Sequence, residues 1–145
     1  DSSKSRGGMP DYLLTFIKPG ENANPITHTP EIFPVEQWQE WASPVWMTVN
    51  QTNTLNVKAA RDPSDEKHLC PLQLDVIDRA LVLWSNPGDV VLSPFMGIGS
   101  EGWCSLRAGR KFLGIELKES YFEQASQYLN GADAQADLFS TSAAK

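Results

Sequence analysis

Cysteine, positive charge and long apolar runs are scarce in this sequence. Only Cys70 and Cys104 are present among 145 residues, and they lack C-x-x-C spacing. That argues against a disulfide framework or a thiolate metal site and predicts two reduced thiols and no bound metal. Twelve Lys and Arg stand against eighteen Asp and Glu, a formal net charge of −6. Gripping a phosphate backbone needs Lys and Arg, so a chain with this balance is expected to bind DNA poorly by itself. No stretch is apolar over the length of a membrane helix, and nothing at the start has the pattern of a signal peptide. The expectation is a cytoplasmic protein. What remains is ordinary for a globular domain with one modest core: 41% apolar and 21% charged residues.

The most structured stretch runs from Asp89 to Glu116. Val90-Val91-Leu92 reads as a buried strand. A sharp turn follows through Pro94-Phe95-Met96-Gly97-Ile98-Gly99-Ser100, then a helix to about Ala108, closed by Gly109. Phe112 to Ile115 reads as a second strand that ends in an acid, Glu116. This is a βαβ unit with a glycine turn after its first strand. Glycines let the backbone approach a ligand closely, and a helix N-terminus offers free N–H groups. A carboxylate ending the second strand accepts the hydroxyls of a ribose. The unit therefore predicts a nucleoside-bearing cofactor. Gly97, Gly99 and Gly102 also satisfy G-x-G-x-x-G, so an NAD(P)-dependent oxidoreductase stays open, as does a non-catalytic binding module that keeps only the fold.

Elsewhere the pattern is more varied. Tyr12 to Ile17 is apolar on both faces and predicts a strand covered on both sides, stopped by Lys18-Pro19-Gly20. Residues 20–66 are broken by Pro25, Pro30, Pro34, Pro44 and Pro63 and read as loop. Trp38, Trp41 and Trp46 cluster there, as do Gln51 and Asn53. Aromatics can stack on bases or anchor a loop to a core, and amides can read base edges or form turns. Pro71 suits the first turn of a helix in which Leu74, Ile77, Leu81 and Trp84 share one stripe, ended by Asn86-Pro87-Gly88-Asp89. Lys118 to Leu129 predicts a last helix with Tyr121, Ala125 and Tyr128 inward, Phe122 and Leu129 beside them, and Asn130-Gly131 as its cap. Residues 131–145 are small and polar, and read as a disordered tail.

Four segments together carry a resemblance. Ser93–Ser100, S-P-F-M-G-I-G-S, resembles the D-P-F-x-G-x-G-[ST] motif of amino-group DNA methyltransferases, which make N6-methyladenine or N4-methylcytosine. Gly114–Tyr121 resembles that family's G-x-E-x-x-x-x-Y segment. S-R-G-G-M-P-D-Y-L followed by K-P-G, and K-H-L-C-P-L-Q at Lys67–Gln73, resemble two further family segments. One departure is Ser93, where the family has an acid. The order of segments is that of a circularly permuted class. The resemblance implies an α/β, Rossmann-like S-adenosylmethionine (SAM)-dependent fold with a partial mixed sheet and flanking helices. It implies the C-terminal part of a longer enzyme of restriction–modification or phage type: an edge strand in 1–20, target recognition in 21–66 and the SAM-binding core in 67–130.

Several residue roles follow from the same resemblance. His68, Leu69, Cys70, Pro71, Pro94, Phe95, Gly97, Gly99, Ser100, Glu116 and Leu117 would line the SAM site, and Arg6, Trp38, Trp41, Gln51 and Asn53 would face DNA. The family's catalytic motif, [DNS]-P-P-[YFW], positions the target amine and stacks on the flipped base. No Pro-Pro pair occurs in this sequence. No catalytic residue is therefore assigned, and the chain is expected to need an upstream catalytic half as partner. In the tail, Gln135-Ala136-Asp137-Leu138-Phe139 resembles the Q-x-[DS]-L-F peptide that docks on bacterial sliding clamps, with Gln135, Leu138 and Phe139 as contacts.

Overall fold

The computed structural model of the chain describes residues 11–56 and 71–142, with side chains through Ala132. In chain order the elements are α1 (Val35–Trp41), α2 (Leu74–Trp84), β1 (Val90–Ser93), α3 (Ser100–Arg107), β2 (Lys111–Gly114) and α4 (Glu119–Ser142). β1 and β2 pair in parallel, with Val90 opposite Lys111 and Ser93 opposite Gly114. A parallel pair needs a crossover, and α3 supplies it. This is the predicted βαβ unit, and its boundaries fall within a residue or two of the sequence pattern.

The core lies on one face of this pair. Leu74, Ile77 and Leu81 of α2 meet Cys104 of α3, with Val91, Trp103, Ala108 and Leu55 packed around them. The helical spacing put the first three on one stripe. Trp84, expected on the same stripe, is 43% exposed because α2 ends there, past the contact with α3. Burial pushes the Cys104 thiol well above its ordinary pKa, and the nearby Asp78 adds to the shift. Arg110 closes the layer. Its guanidinium donates to the carbonyls of Leu81, Ser85 and Ala108, where α2 and α3 end.

Small residues set the approach of α4 to α3. A Cβ at Gly99 would lie 3.1 Å from Ala125 Cβ, and one at Gly102 would lie 2.5 Å from Leu129 Cδ2. Trp103 and Tyr128 meet edge to face beside them, with centroids 6.2 Å apart.

Four expectations are corrected. Tyr12–Ile17 is not a buried strand. It has no ladder partner among the described residues, and its apolar side chains lie open, from 51% at Leu13 to 90% at Ile17. A strand forms only where a neighbour takes its N–H and C=O groups. The run Val90–Leu92 is buried on one side only, because α2 and α3 pack on the face bearing Val91. The opposite face holds Val90, Leu92, Leu113 and Ile115, each more than half exposed. Residues 20–56 are not all loop, since Val35–Trp41 forms α1 directly after Pro34. The last helix also passes through Asn130-Gly131 and runs to Ser142. One glycine costs a helix only about 1 kcal/mol, and the Ala, Gln and Leu that follow are good helix formers.

The proline-rich segment wraps α2 through polar bonds. Asn24 donates to Asp89 at 2.8 Å, Asn86 donates to Pro25 O at 3.1 Å and accepts from Thr27 N–H at 3.1 Å. His28 Nε2 donates to Val82 O at 2.7 Å. Phe33 is buried against the rings of His28 and Trp41.

Candidate cofactor site

The turn after β1 is built on two left-handed glycines, Gly97 at φ +56° and Gly99 at φ +87°. Residues with a Cβ rarely adopt that backbone. Met96 N–H donates to Ile115 O at 2.9 Å, which ties the turn to the chain leaving β2. Met96 and Ile98 point inward and are buried, while Pro94 and Phe95 point out, Phe95 at 88% exposure. The two inward side chains hold the turn down, and the two outward ones leave a partly apolar rim.

Glu116 completes the arrangement. One carboxylate oxygen accepts Gly97 N–H at 2.8 Å, and the other accepts Lys118 N–H at 2.8 Å. The side chain is thus fixed between the turn and the strand end. A carboxylate has about four lone-pair directions, so two acceptor positions remain for a ligand. Gly97 stands beside it with nothing within 4 Å of where a Cβ would be. The backbone at this point is both open and conformationally reserved for glycine.

Not all the glycines serve the same purpose. The positions of a Cβ at Gly102 would crowd Leu129 and the Phe112 ring, and at Gly114 the Met96 sulfur and the Phe112 ring. Both are packing glycines. Of the G-x-G-x-x-G match, only Gly97 stands open, while Gly99 is left-handed in the turn and packed against Ala125.

The structure brings Pro94, Phe95, Gly97, Gly99, Ser100, Glu116 and Leu117 to one end of the βαβ unit. Ser100 is buried as the first residue of α3, and Leu117 is 97% exposed. Pro71 is half-buried in the lead into α2. His68, Leu69, Cys70 and Arg6 lie outside the described residues. Trp41 is turned inward onto Phe33 and Arg79, whereas Trp38 is half exposed. Gln51 is exposed, but the Asn53 amide is engaged by Asp75 at 2.5 Å. The backbone of Gln135, Leu138 and Phe139 belongs to α4, and their side chains lie outside the description. The pairing of Lys118 N–H with Glu116 was not anticipated from the sequence, because a backbone donor carries no side-chain signature.

Among the described residues no group of His, Cys, Asp and Glu could hold a metal ion, and no helix is long and apolar enough to cross a membrane.

Comparison with known proteins bears directly on this arrangement. Type II methyltransferase M1.MboII of Moraxella bovis is 38% identical over 63 residues, which are 43% of this chain and 24% of the relative. DNA adenine methyltransferase YhdJ of Escherichia coli is 39% identical over 57 residues, 39% of this chain and 19% of the relative. The chain thus spans at most 24% of these curated relatives. TTHA0409 of Thermus thermophilus, crystallised with S-adenosyl-L-methionine and named among DNA modification methylases, superimposes with a TM-score of 0.59 at 25% identity. That match covers 80% of this chain and 41% of the other. The family model of DNA methylases, the N6/N4 methyltransferases, matches residues 4–127, well over half of the sequence and with the glycine turn and Glu116 inside it, so the chain belongs to that family.

Proposed function

We propose that this chain provides the SAM-binding part of an enzyme that methylates an exocyclic amine in DNA, adenine N6 or cytosine N4. The observation that carries this is the Glu116 carboxylate, pinned by Gly97 N–H and Lys118 N–H beside an open glycine turn. These residues fit the cofactor. The free acceptor positions of Glu116 take ribose hydroxyls, Gly97 allows close backbone approach, and Phe95 and Leu117 offer exposed apolar surface next to it. When bound, the cofactor supplies a methyl group on a sulfonium, ready for nucleophilic attack. The chain's own task is to hold and orient it.

Activating the amine is a separate task, for which this chain has no [DNS]-P-P-[YFW] motif. Methyl transfer is therefore proposed to require a polypeptide segment that carries it. The open sheet face and Tyr12–Ile17, which has no ladder partner among the described residues, support such a partner, since both leave large apolar side chains in water. A second contact, of Gln135–Phe139 with a bacterial sliding clamp, would offset the poor DNA affinity that the charge of −6 implies.

Calorimetry with S-adenosylhomocysteine and with NAD tests the cradle. The former is expected to bind and NAD to bind more weakly, and the reverse order would overturn the assignment. Glu116→Ala should cost roughly 1.5–3 kcal/mol of affinity, the loss of a charged hydrogen-bond acceptor. The purified chain alone should transfer no tritium from labelled SAM to DNA. Transfer by the chain alone would show that the missing motif is dispensable.

A further inference from the structure

Arg79 lies in the middle of α2 and is only 6% exposed. Its guanidinium carbon sits 5.6 Å from the Trp41 ring centroid and 5.3 Å from that of Trp46. Nη2 donates to Thr48 Oγ1 at 2.7 Å, with Glu40 Oε1 3.7 Å away. Thr48 in turn donates to Glu40 at 2.5 Å, and Trp46 Nε1 donates to Trp41 O at 2.7 Å. Nη1 is buried and has no hydrogen-bond partner among the described residues.

That orphaned donor is hard to explain by stability. A buried charged group with an unmade hydrogen bond is costly, and replacing such a group with an apolar side chain of similar volume is often neutral or stabilising. What Arg provides instead is direction. Its planar fork meets aromatic faces and a hydroxyl in one geometry, which neither Met nor Lys can reproduce. One turn earlier on the same helix, Asp75 accepts Asn50 N–H at 2.7 Å and the Asn53 amide at 2.5 Å, and Leu74 N–H reaches Asn53 O at 2.8 Å.

We infer that Arg79 is a positioning residue: it holds segment 40–53 in a single geometry on α2, against stability, so that outward-facing Val45, Met47 and Gln51 form a fixed contact surface. Val45 is 62% and Met47 87% exposed, while Trp46 between them faces the guanidinium. That this surface meets DNA rests on the function proposed above, but the positioning role does not.

The test uses Arg79→Met and Arg79→Lys in the 145-residue chain. Three readouts are needed: thermal midpoint, S-adenosylhomocysteine affinity, and amide hydrogen exchange across 44–53. For Arg79→Met the midpoint should be equal or higher and the affinity unchanged, while exchange in 44–53 should be about tenfold faster. Arg79→Lys should exchange as fast as the Met variant. Unchanged exchange in the Met variant overturns the inference, as does full protection in the Lys variant, which would make charge alone sufficient. A Met variant that loses midpoint and affinity together would mark Arg79 as an ordinary core prop and also overturn it. If the unmodified chain binds no S-adenosylhomocysteine, the cofactor assignment fails, and exchange and midpoint still decide the role of Arg79.

Discussion

The glycine-turn end of the βαβ unit and the segment from Asn22 to Asn53 are held in opposite ways. At the turn, backbone groups do most of the work. Met96 N–H, Gly97 N–H, Ile115 N–H and Lys118 N–H all find acceptors within residues 93–118. Around α2, side chains do it over long separations in sequence: Asn24 to Asp89, His28 to Val82, Arg79 to Thr48, Asp75 to Asn50 and Asn53. A turn held by near neighbours has its geometry set by local conformation, with Gly97 and the Glu116 carboxylate as its fixed residues. A wrap made of side-chain bonds depends on each partner, and one substitution releases a stretch of chain. The turn is therefore fixed by short-range conformation, and the wrap by long-range contacts.

The largest effect is expected at the packing glycines. Gly102→Val would push a branched side chain into Leu129 and Phe112, and overpacking of that kind should cost roughly 3 kcal/mol or more, read as a fall in thermal midpoint. Gly97→Val meets no atom, so its cost is mainly the left-handed backbone, about 1–2 kcal/mol. It should leave the chain folded and abolish S-adenosylhomocysteine binding. If Gly97→Val binds normally, the open turn is not the cofactor's place.

A smaller effect is expected in the wrap. The Asn50 N–H, and then the Asn53 amide, hold the Asp75 carboxyl below its ordinary pKa. A depressed folded pKa means that the stabilisation is present above the unfolded value, about 4 for Asp, and is lost as pH falls through the lower folded value. Asp75→Ala should therefore cost on the order of 1 kcal/mol at neutral pH, as for an exposed helix-capping carboxylate. The gap between the two chains should close in acid. Urea titrations at pH 7 and in strong acid measure it, and a gap that persists in acid would assign the loss to packing.

The smallest effect on the folded unit is expected from the tail. Leu138→Ala with Phe139→Ala should leave the thermal midpoint and cofactor affinity unchanged while removing binding to a bacterial sliding clamp in surface plasmon resonance. An extended docked peptide would have to unwind the end of α4, so affinity in the unmodified chain is expected to be modest. Equal clamp binding by both versions would make the pentapeptide a coincidence.

What could be read from the sequence follows this same division. The βαβ unit, the α2 stripe of Leu74, Ile77 and Leu81, and the placing of the glycine turn and Glu116 at one end of that unit were all legible. Each rests on local periodicity, a glycine that must be left-handed, or a strand that ends in an acid. The inward turn of Trp41 and the capture of Asn53 by Asp75 were not legible. Identical residue types at identical spacing serve equally for base contacts and for anchoring.

Residues close along the chain fixed the run from α2 to β2, the sharp turn at Gly97 and Gly99, and the family motifs, whereas α1 and the length of α4 were not read from them. Only the tertiary structure decided that Gly102 and Gly114 are packing positions, that Arg79 is buried with a donor to spare, and that one sheet face and Tyr12–Ile17 stand open. Those outcomes depend on which distant atoms come within a few ångströms, and an apolar strand looks the same in sequence whether one of its faces is covered or both.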